Sequence, residues 1–203
     1  MIRLGLPKGR MASESDRFSE ALGITIRSGV LSYRVIAGRL PVCVYLMKAP
    51  DVARLLSKNL LDLGLTGDEW LMEAGVSPDR RCFEARSYEA SVCLLMARGD
   101  HRPPSRIRSV VTPYPHLAKS LFRSIAPSAE ILTVGGSTEA LVPDMADACV
   151  EVVETGTTAA LNALIIRQTF GYVTTHLARS ERCDATVVAP IVELLASTMG
   201  VVR

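Results

Sequence analysis

The sequence predicts an α/β protein, and three observations carry that expectation. Apolar stretches of strand length alternate with stretches of helical periodicity from one end of the chain to the other. The material for a core is aliphatic: 48% of the 203 residues are hydrophobic but only 5% are aromatic. Finally, Gly, Thr, Ser and charged residues gather where strand-like segments hand over to helix-like ones, as at ligand sites on the carboxyl ends of parallel strands.

In order, residues 2–6 read as a strand, followed by the basic loop Pro7-Lys8-Gly9-Arg10 and a helix over 13–22 with Phe18, Ala21 and Leu22 on its apolar side. Residues 25–36 read as irregular or extended, and Leu40–Met47 as a buried strand. Pro50 and Asp51 suit the first turn of a helix over 49–58. A strand over 60–65 ends at Thr66-Gly67-Asp68, before a helix over 69–74. After Arg86 the pattern begins again: a strand over 91–97, a loop at Pro103-Pro104, a strand over 109–111, then Thr112-Pro113-Tyr114-Pro115 and a helix over 116–125. A strand over 130–134 leads to Gly135-Gly136-Ser137 and a short helix over 139–143. Ala148–Val153 reads as a strand, 159–165 as the start of a helix, 171–176 as extended and 189–199 as the last helix. The change near 86–90 predicts two lobes, 1–88 plus 176–203 and 89–175, the tail returning to the first.

Several function classes drop out. A net charge of +2 gives no support for general nucleic-acid or membrane binding. The five cysteines are far apart and form no Cys-x-x-Cys pair, so buried free thiols in a reducing cytoplasm are expected. No leader is apparent, and no apolar run reaches the roughly 20 residues of a membrane span, so a soluble cytoplasmic protein is expected. No His/Cys/Asp spacing points to zinc; His101 and His176 lack a partner pattern, and His116 follows Tyr114-Pro115 at a helix start. P-loop, Gly-x-Ser-x-Gly and Gly-x-Gly-x-x-Gly patterns are absent, which removes dinucleotide and nucleophilic-hydrolase readings.

What remains is phosphate and sugar chemistry. In Glu151-Val-Val-Glu-Thr-Gly-Thr-Thr158 a strand turns into a Gly/Thr loop and then a helix. Gly156 permits close backbone approach, and Thr155, Thr157 and Thr158 supply hydroxyl donors, a combination that holds a phosphate dianion or simply caps a helix. Glu151 and Glu154 suit ribose hydroxyls or a Mg²⁺ held by them. Lys8 and Arg10 suit phosphates of a second substrate, or a solvated basic turn. Thr66 and Gly67 line a cleft or form ordinary strand–helix turn chemistry. Glu139, after Gly135-Gly136-Ser137, caps its helix or faces a cleft as a base or hydroxyl ligand.

Taken together, Leu6-Pro-Lys-Gly-Arg10, Asp62-Leu-Gly-Leu-Thr-Gly67, Tyr114-Pro115, Gly136-Ser-Thr-Glu139, Ala146-Asp-Ala148 and Thr155-Gly-Thr-Thr158 resemble, in the same order, the ATP phosphoribosyltransferases of histidine biosynthesis, in their short form. The resemblance implies two lobes with mixed sheets, similar to type II periplasmic-binding proteins, with the site in the cleft between them. It implies Mg²⁺-dependent condensation of ATP with phosphoribosyl pyrophosphate, adenine N1 attacking the anomeric carbon as pyrophosphate leaves. It also implies a homodimer, and a hetero-oligomer with a regulatory subunit similar to histidyl-tRNA synthetase. Thr155, Gly156, Thr157 and Thr158, with Glu151 and Glu154, would bind phosphoribosyl pyrophosphate; Lys8, Arg10 and Glu139 would serve catalysis; Lys8, Lys48, Thr66, Gly67 and Tyr114 would meet the nucleotide. The metal ligands are left unassigned.

The chain departs from that pattern at Pro50, where the family has a second basic residue, at Pro113 before Tyr114, and at Glu154, where a small residue is usual. A carboxylate beside a phosphate repels it unless a cation intervenes. Two other readings therefore stand beside the first: a related phosphoribosyltransferase with a different nitrogen acceptor, and a non-catalytic ligand-binding paralogue.

Overall fold

The computed structural model describes residues 1–200, and the side chains of all of these except 86–89. The chain divides into two compact units, Met1–Ser87 with Thr174–Arg203, and Tyr88–Val173.

In the first unit β1 (Ile2–Pro7) lies between two parallel neighbours, β3 (Leu40–Met47) and β4 (Leu63–Gly67). The edge strand β2 (Ser32–Ala37) runs antiparallel to β3, and β9 (Leu164–Arg179) runs antiparallel to β4. The central strands read as continuous apolar runs because both faces are covered. On one face Leu4, Leu6, Val44 and Leu65 pack with Phe18 of α1 (Ala12–Ala21) and with Ile191 and Leu195 of α6 (Ala185–Thr198). On the other, Val52 and Leu56 of α2 (Ala49–Ser57) meet Leu71 of α3 (Asp68–Glu73). The β1–β4 pairing is pinned at its start: the Asp62 carboxylate accepts from the Arg3 backbone N–H at 2.8 Å and from its Nε and Nη2 at 3.0 and 2.7 Å.

The second unit repeats the plan. β6 (Ser109–Thr112) lies between parallel neighbours β7 (Glu130–Thr133) and β8 (Ala148–Val153), and β5 (Arg81–Ala97) runs antiparallel to β8. Phe122 of α4 (Pro115–Ile125) packs with Leu94, Val110 and Val150. Asp147, just before β8, accepts from Arg102 Nη1 and from the Arg108 backbone N–H, each at 2.7 Å. β5 and β9 each contain residues of both units.

The boundaries of several segments differ from the sequence expectation. Residues 25–36 contain β2 at their end, and β5 begins ten residues before the expected 91. The helix expected over 159–165 stops early: α5 spans only Thr157–Leu161. Asn162 turns its side-chain amide onto the Thr158 carbonyl at 2.9 Å, Ala163 takes a left-handed φ of 54°, and β-branched Ile165 and Ile166 continue as β9. Conversely, α6 starts at Ala185 rather than 189, because Asp184 accepts from the Thr186 backbone N–H and hydroxyl, both at 2.8 Å. Cys43, Cys93 and Cys149 are buried, Cys82 and Cys183 half-buried, and all five are free thiols. Among the described residues no helix is long and apolar enough to cross a membrane.

Gly64 of β4 lies under α2, where an added Cβ would come within 2.5 Å of Val52 and 2.8 Å of Leu56, both fully buried. A Gly64→Ala substitution should therefore push α2 off the sheet and destabilise the protein by roughly 1–3 kcal/mol. A lower urea midpoint than wild type is the expected result.

Candidate active site

Parallel pairing in the second unit brings three carboxyl-end loops side by side. Thr112 is opposite Thr133, and Val111 opposite Cys149, so residues 113–114, 134–137 and 154–156 leave the sheet at one edge. Gly156 caps α5 with φ 73°, a left-handed conformation in which a side chain is strained. The Thr155 and Thr157 hydroxyls lie 2.9 Å apart, and the Thr157 backbone N–H donates to Thr155 Oγ1 at 3.4 Å. Thr155, Thr157, Thr158 and Glu154 have exposed side chains, and Gly156 is half-buried. The loop thus offers a rigid glycine turn with several hydroxyl groups on its outer face.

Glu151, on β8 just before that loop, is fixed rather than free. Its Oε1 accepts from the Thr138 hydroxyl at 2.7 Å, and Thr138 is fully buried. Thr138 opens the 3-10 turn Thr138–Leu141, which replaces the short helix expected over 139–143, and it follows Ser137, whose φ is 55°. Glu139 is the next residue of that turn. Glu139 and Glu151 both act on the buried Cys149 thiol: burial first, then these two carboxylates, push its pKa up to about 12. Both acids thus lie within electrostatic reach of one buried thiol. Tyr114 is only 4% exposed; its backbone N–H donates to Thr112 Oγ1 at 3.0 Å, and that hydroxyl donates to the Val150 carbonyl at 2.8 Å. Tyr114 therefore shapes the edge from within.

The other expected site residues lie in the first unit, again at the carboxyl ends of parallel strands. Lys8 follows β1, Lys48 follows β3, and Thr66 and Gly67 end β4. Pro7 pairs with Met47, and the Lys8 backbone N–H donates to the Met47 carbonyl at 2.8 Å, so Lys8 and Lys48 leave neighbouring strands. Lys8, Arg10 and Lys48 are exposed. Thr66 is fully buried and gives its hydroxyl to the Ala49 carbonyl at 3.1 Å, so it fastens α2 to β4. Lys8 also borders a cavity of about 380 Å³ that Arg27, Ser28, Leu31 and Leu46 help to line. Sequence reading missed Arg27 and Ser28, because residues 25–31 show no periodicity.

A second omission is Asp68, the first residue of α3. Its carboxylate meets Arg81 Nη2 at 2.8 Å and His176 Nδ1 at 3.2 Å, and accepts from the Thr174 hydroxyl at 3.0 Å. Burial alone would raise the Asp68 pKa, but the His176 hydrogen bond and the charges of His176 and Arg81 outweigh it and hold it below the ordinary carboxylate value. Thr174 and His176 lie more than 100 residues from Asp68 in the chain, and no local pattern signals the contact. Structure thus gathers Glu139, Glu151 and residues 154–158 in one unit, and Lys8, Arg10, Lys48, Thr66 and Gly67 in the other. Among the described residues no group of three or more His, Cys, Asp or Glu side chains could hold a metal ion.

Fold and strand-end loops define a class, the α/β proteins of type II periplasmic-binding-protein architecture. An ancestral arginine-binding protein superposes with a TM-score of 0.59 at 11% identity, covering 98% of this chain and 92% of its own. The ATP phosphoribosyl transferase (HisG:HisZ) complex from Thermotoga maritima gives a TM-score of 0.82 at 21% identity, with 98% of both chains covered. Sequence narrows the class. The family model for HisG, ATP phosphoribosyltransferase, matches residues 48–198. The ATP phosphoribosyltransferase of Alkaliphilus metalliredigens is 32% identical over 174 residues, 82% of this chain and 81% of its own, and that of Listeria monocytogenes 33% over 172 residues, 81% and 79%. The chain belongs to the ATP phosphoribosyltransferase family, transferases that catalyse the first step of histidine biosynthesis.

The depressed Asp68 pKa fixes the sign of one pH effect. A group whose folded pKa is lowered adds stability above its unfolded value, near 3.8, and loses it as pH falls through the folded value. Asp68→Asn should lower the melting temperature at pH 7, and the gap to wild type should close as the pH drops below about 4. Thermal melts between pH 3 and 7 test this.

Proposed function

We propose that this chain condenses ATP with phosphoribosyl pyrophosphate, the Thr155–Thr158 loop cradling the 5′-phosphate and Glu151 and Glu139 meeting the ribose hydroxyls. The observation that carries the reading is the β8–α5 loop: a left-handed Gly156, hydroxyls on its outer face, and an acid beside it oriented by Thr138. Lys8, Arg10 and Lys48 meet the polyphosphate groups, and the cavity beside Lys8 adds Arg27 to that set.

The chemistry needs no covalent nucleophile. The adenine N1 lone pair forms a bond to the anomeric carbon, the bond from that carbon to the pyrophosphate oxygen breaks, and the leaving group carries the electron pair away. Protein groups contribute by alignment and by stabilising the charge on pyrophosphate. Glu139 and Glu151 fit Mg²⁺, which takes one or two carboxylates together with substrate phosphates, and both lie within electrostatic reach of the same buried thiol, Cys149. When bound, the ion neutralises charge on the leaving pyrophosphate. Glu154, exposed and next to Thr155, suits a place in that cation's outer shell.

The reading extends to assembly and location: a homodimer in the cytoplasm that joins a regulatory subunit similar to histidyl-tRNA synthetase. The Thermotoga neighbour, solved as a HisG:HisZ complex, supports a second subunit as partner. Incubation with phosphoribosyl pyrophosphate, Mg²⁺ and ATP, with and without that subunit, should yield phosphoribosyl-ATP; no product even with the subunit would defeat the reading. Combining Gly156→Val with Thr157→Ala should weaken phosphoribosyl pyrophosphate binding at least about tenfold in calorimetry, since straining a left-handed residue costs about 1–2 kcal/mol before any hydroxyl is lost. Unchanged affinity would move the phosphate site elsewhere.

A further inference from the structure

Ser15 of α1 is 2% exposed and has no part in the chemistry above. Serine is a mediocre residue for a helix interior, because its hydroxyl competes for backbone groups. Here the hydroxyl reaches out of its own helix. Oγ donates to the Pro7 carbonyl at 2.6 Å, closer than the 3.2 Å to the Met11 carbonyl one turn back. A hydroxyl has one proton to give, so the Pro7 carbonyl takes it.

Pro7 ends β1, and its carbonyl belongs to the same planar peptide unit as the Lys8 N–H. That N–H donates to the Met47 carbonyl at 2.8 Å, at the end of β3 and next to Lys48. In a trans peptide the C=O and N–H point opposite ways, so α1 grips the unit on one side and β3 on the other. Beyond it Gly9 takes a left-handed φ of 85°, and its carbonyl accepts from the Ala12 N–H at 2.9 Å, which leads the loop directly into α1. The Lys8 backbone is thus fixed before and behind. Ser15 and Lys8 also border the same cavity of about 380 Å³.

We propose that Ser15 is a positioning residue for Lys8: its hydroxyl fixes the peptide from which the ammonium is presented to substrate phosphates. The inference rests on the reading above that Lys8 meets those phosphates. Lysine is a compact charge on a flexible four-carbon stem, so the backbone from which it starts decides where it can reach. Ser15→Ala removes the donor and keeps the helix, alanine being the better helix former. The Pro7–Lys8 peptide is then gripped from the β3 side without its α1 partner. The ammonium samples more directions, and ATP binds more weakly.

The test is a double-mutant cycle on ATP affinity, measured by calorimetry on wild type, Ser15→Ala, Lys8→Ala and the two changes combined. Ser15→Ala should weaken ATP binding about threefold to tenfold, the net worth of one hydrogen bond. In the Lys8→Ala background the same change should cost less than about twofold, because the group it positions is gone. A merely structural Ser15 would weaken binding by the same factor in both backgrounds. That outcome, or unchanged affinity in Ser15→Ala, would overturn the proposal while Lys8 keeps its role. Wild-type ATP affinity in Lys8→Ala would instead overturn the parent reading, and the proposal with it. Ser15→Cys is the reserve should the alanine variant not fold: it nearly keeps the volume and offers only a weak S–H donor. It should show a smaller loss that also vanishes without Lys8, and a loss of equal size in the Lys8→Ala background would count against the proposal.

Discussion

Parallel pairing aligns the carboxyl ends of β1, β3 and β4 in one unit and those of β6, β7 and β8 in the other. Backbone amides and loops must leave the sheet at those edges, so that is where polar side chains collect without penalty. Lys8, Lys48 and Gly67 come together for this reason, and so do Glu139, Glu151 and residues 154–158. Without the register there is no constellation, only turns scattered through the sequence.

Two carboxylates at the opposite ends of the strands keep the register. Asp62 grips the backbone and guanidinium of Arg3 before β4 begins; Asp147 grips Arg102 and the Arg108 backbone before β8 begins. Burial raises the pKa of each, yet the hydrogen bonds and charge of the arginines outweigh it, so both remain below the ordinary value. Each sits in a segment by which the family is recognised, and neither is at the candidate site. Motif residues thus divide between those that meet ligands and those that hold the strands whose far ends do.

Much of this was legible in the sequence where one local rule decided the outcome. Leu40–Met47 and Ala148–Val153 are strands because both faces are apolar, and the residues opening α2 carry the expected Pro and acid. The family resemblance was legible too, since its segments keep their order. What failed had a competing cause. The Ala/Leu run after Thr158 reads as a helix, but Asn162 and the left-handed Ala163 end it after Leu161. Asp68 and His176 meet only through the β4–β9 pairing, which no local spacing encodes, and Arg81 joins them from the start of β5.

The central claim is that the glycine turn after β8 is where the phosphoribosyl group is held. Amide hydrogen exchange with and without phosphoribosyl pyrophosphate and Mg²⁺ tests it without altering a residue. The account predicts that the amides of Thr155 to Thr158 slow markedly on binding, together with those beside Glu139. Slowing confined to the loops after β1 and β3, with the Thr155–Thr158 amides unchanged, would contradict it.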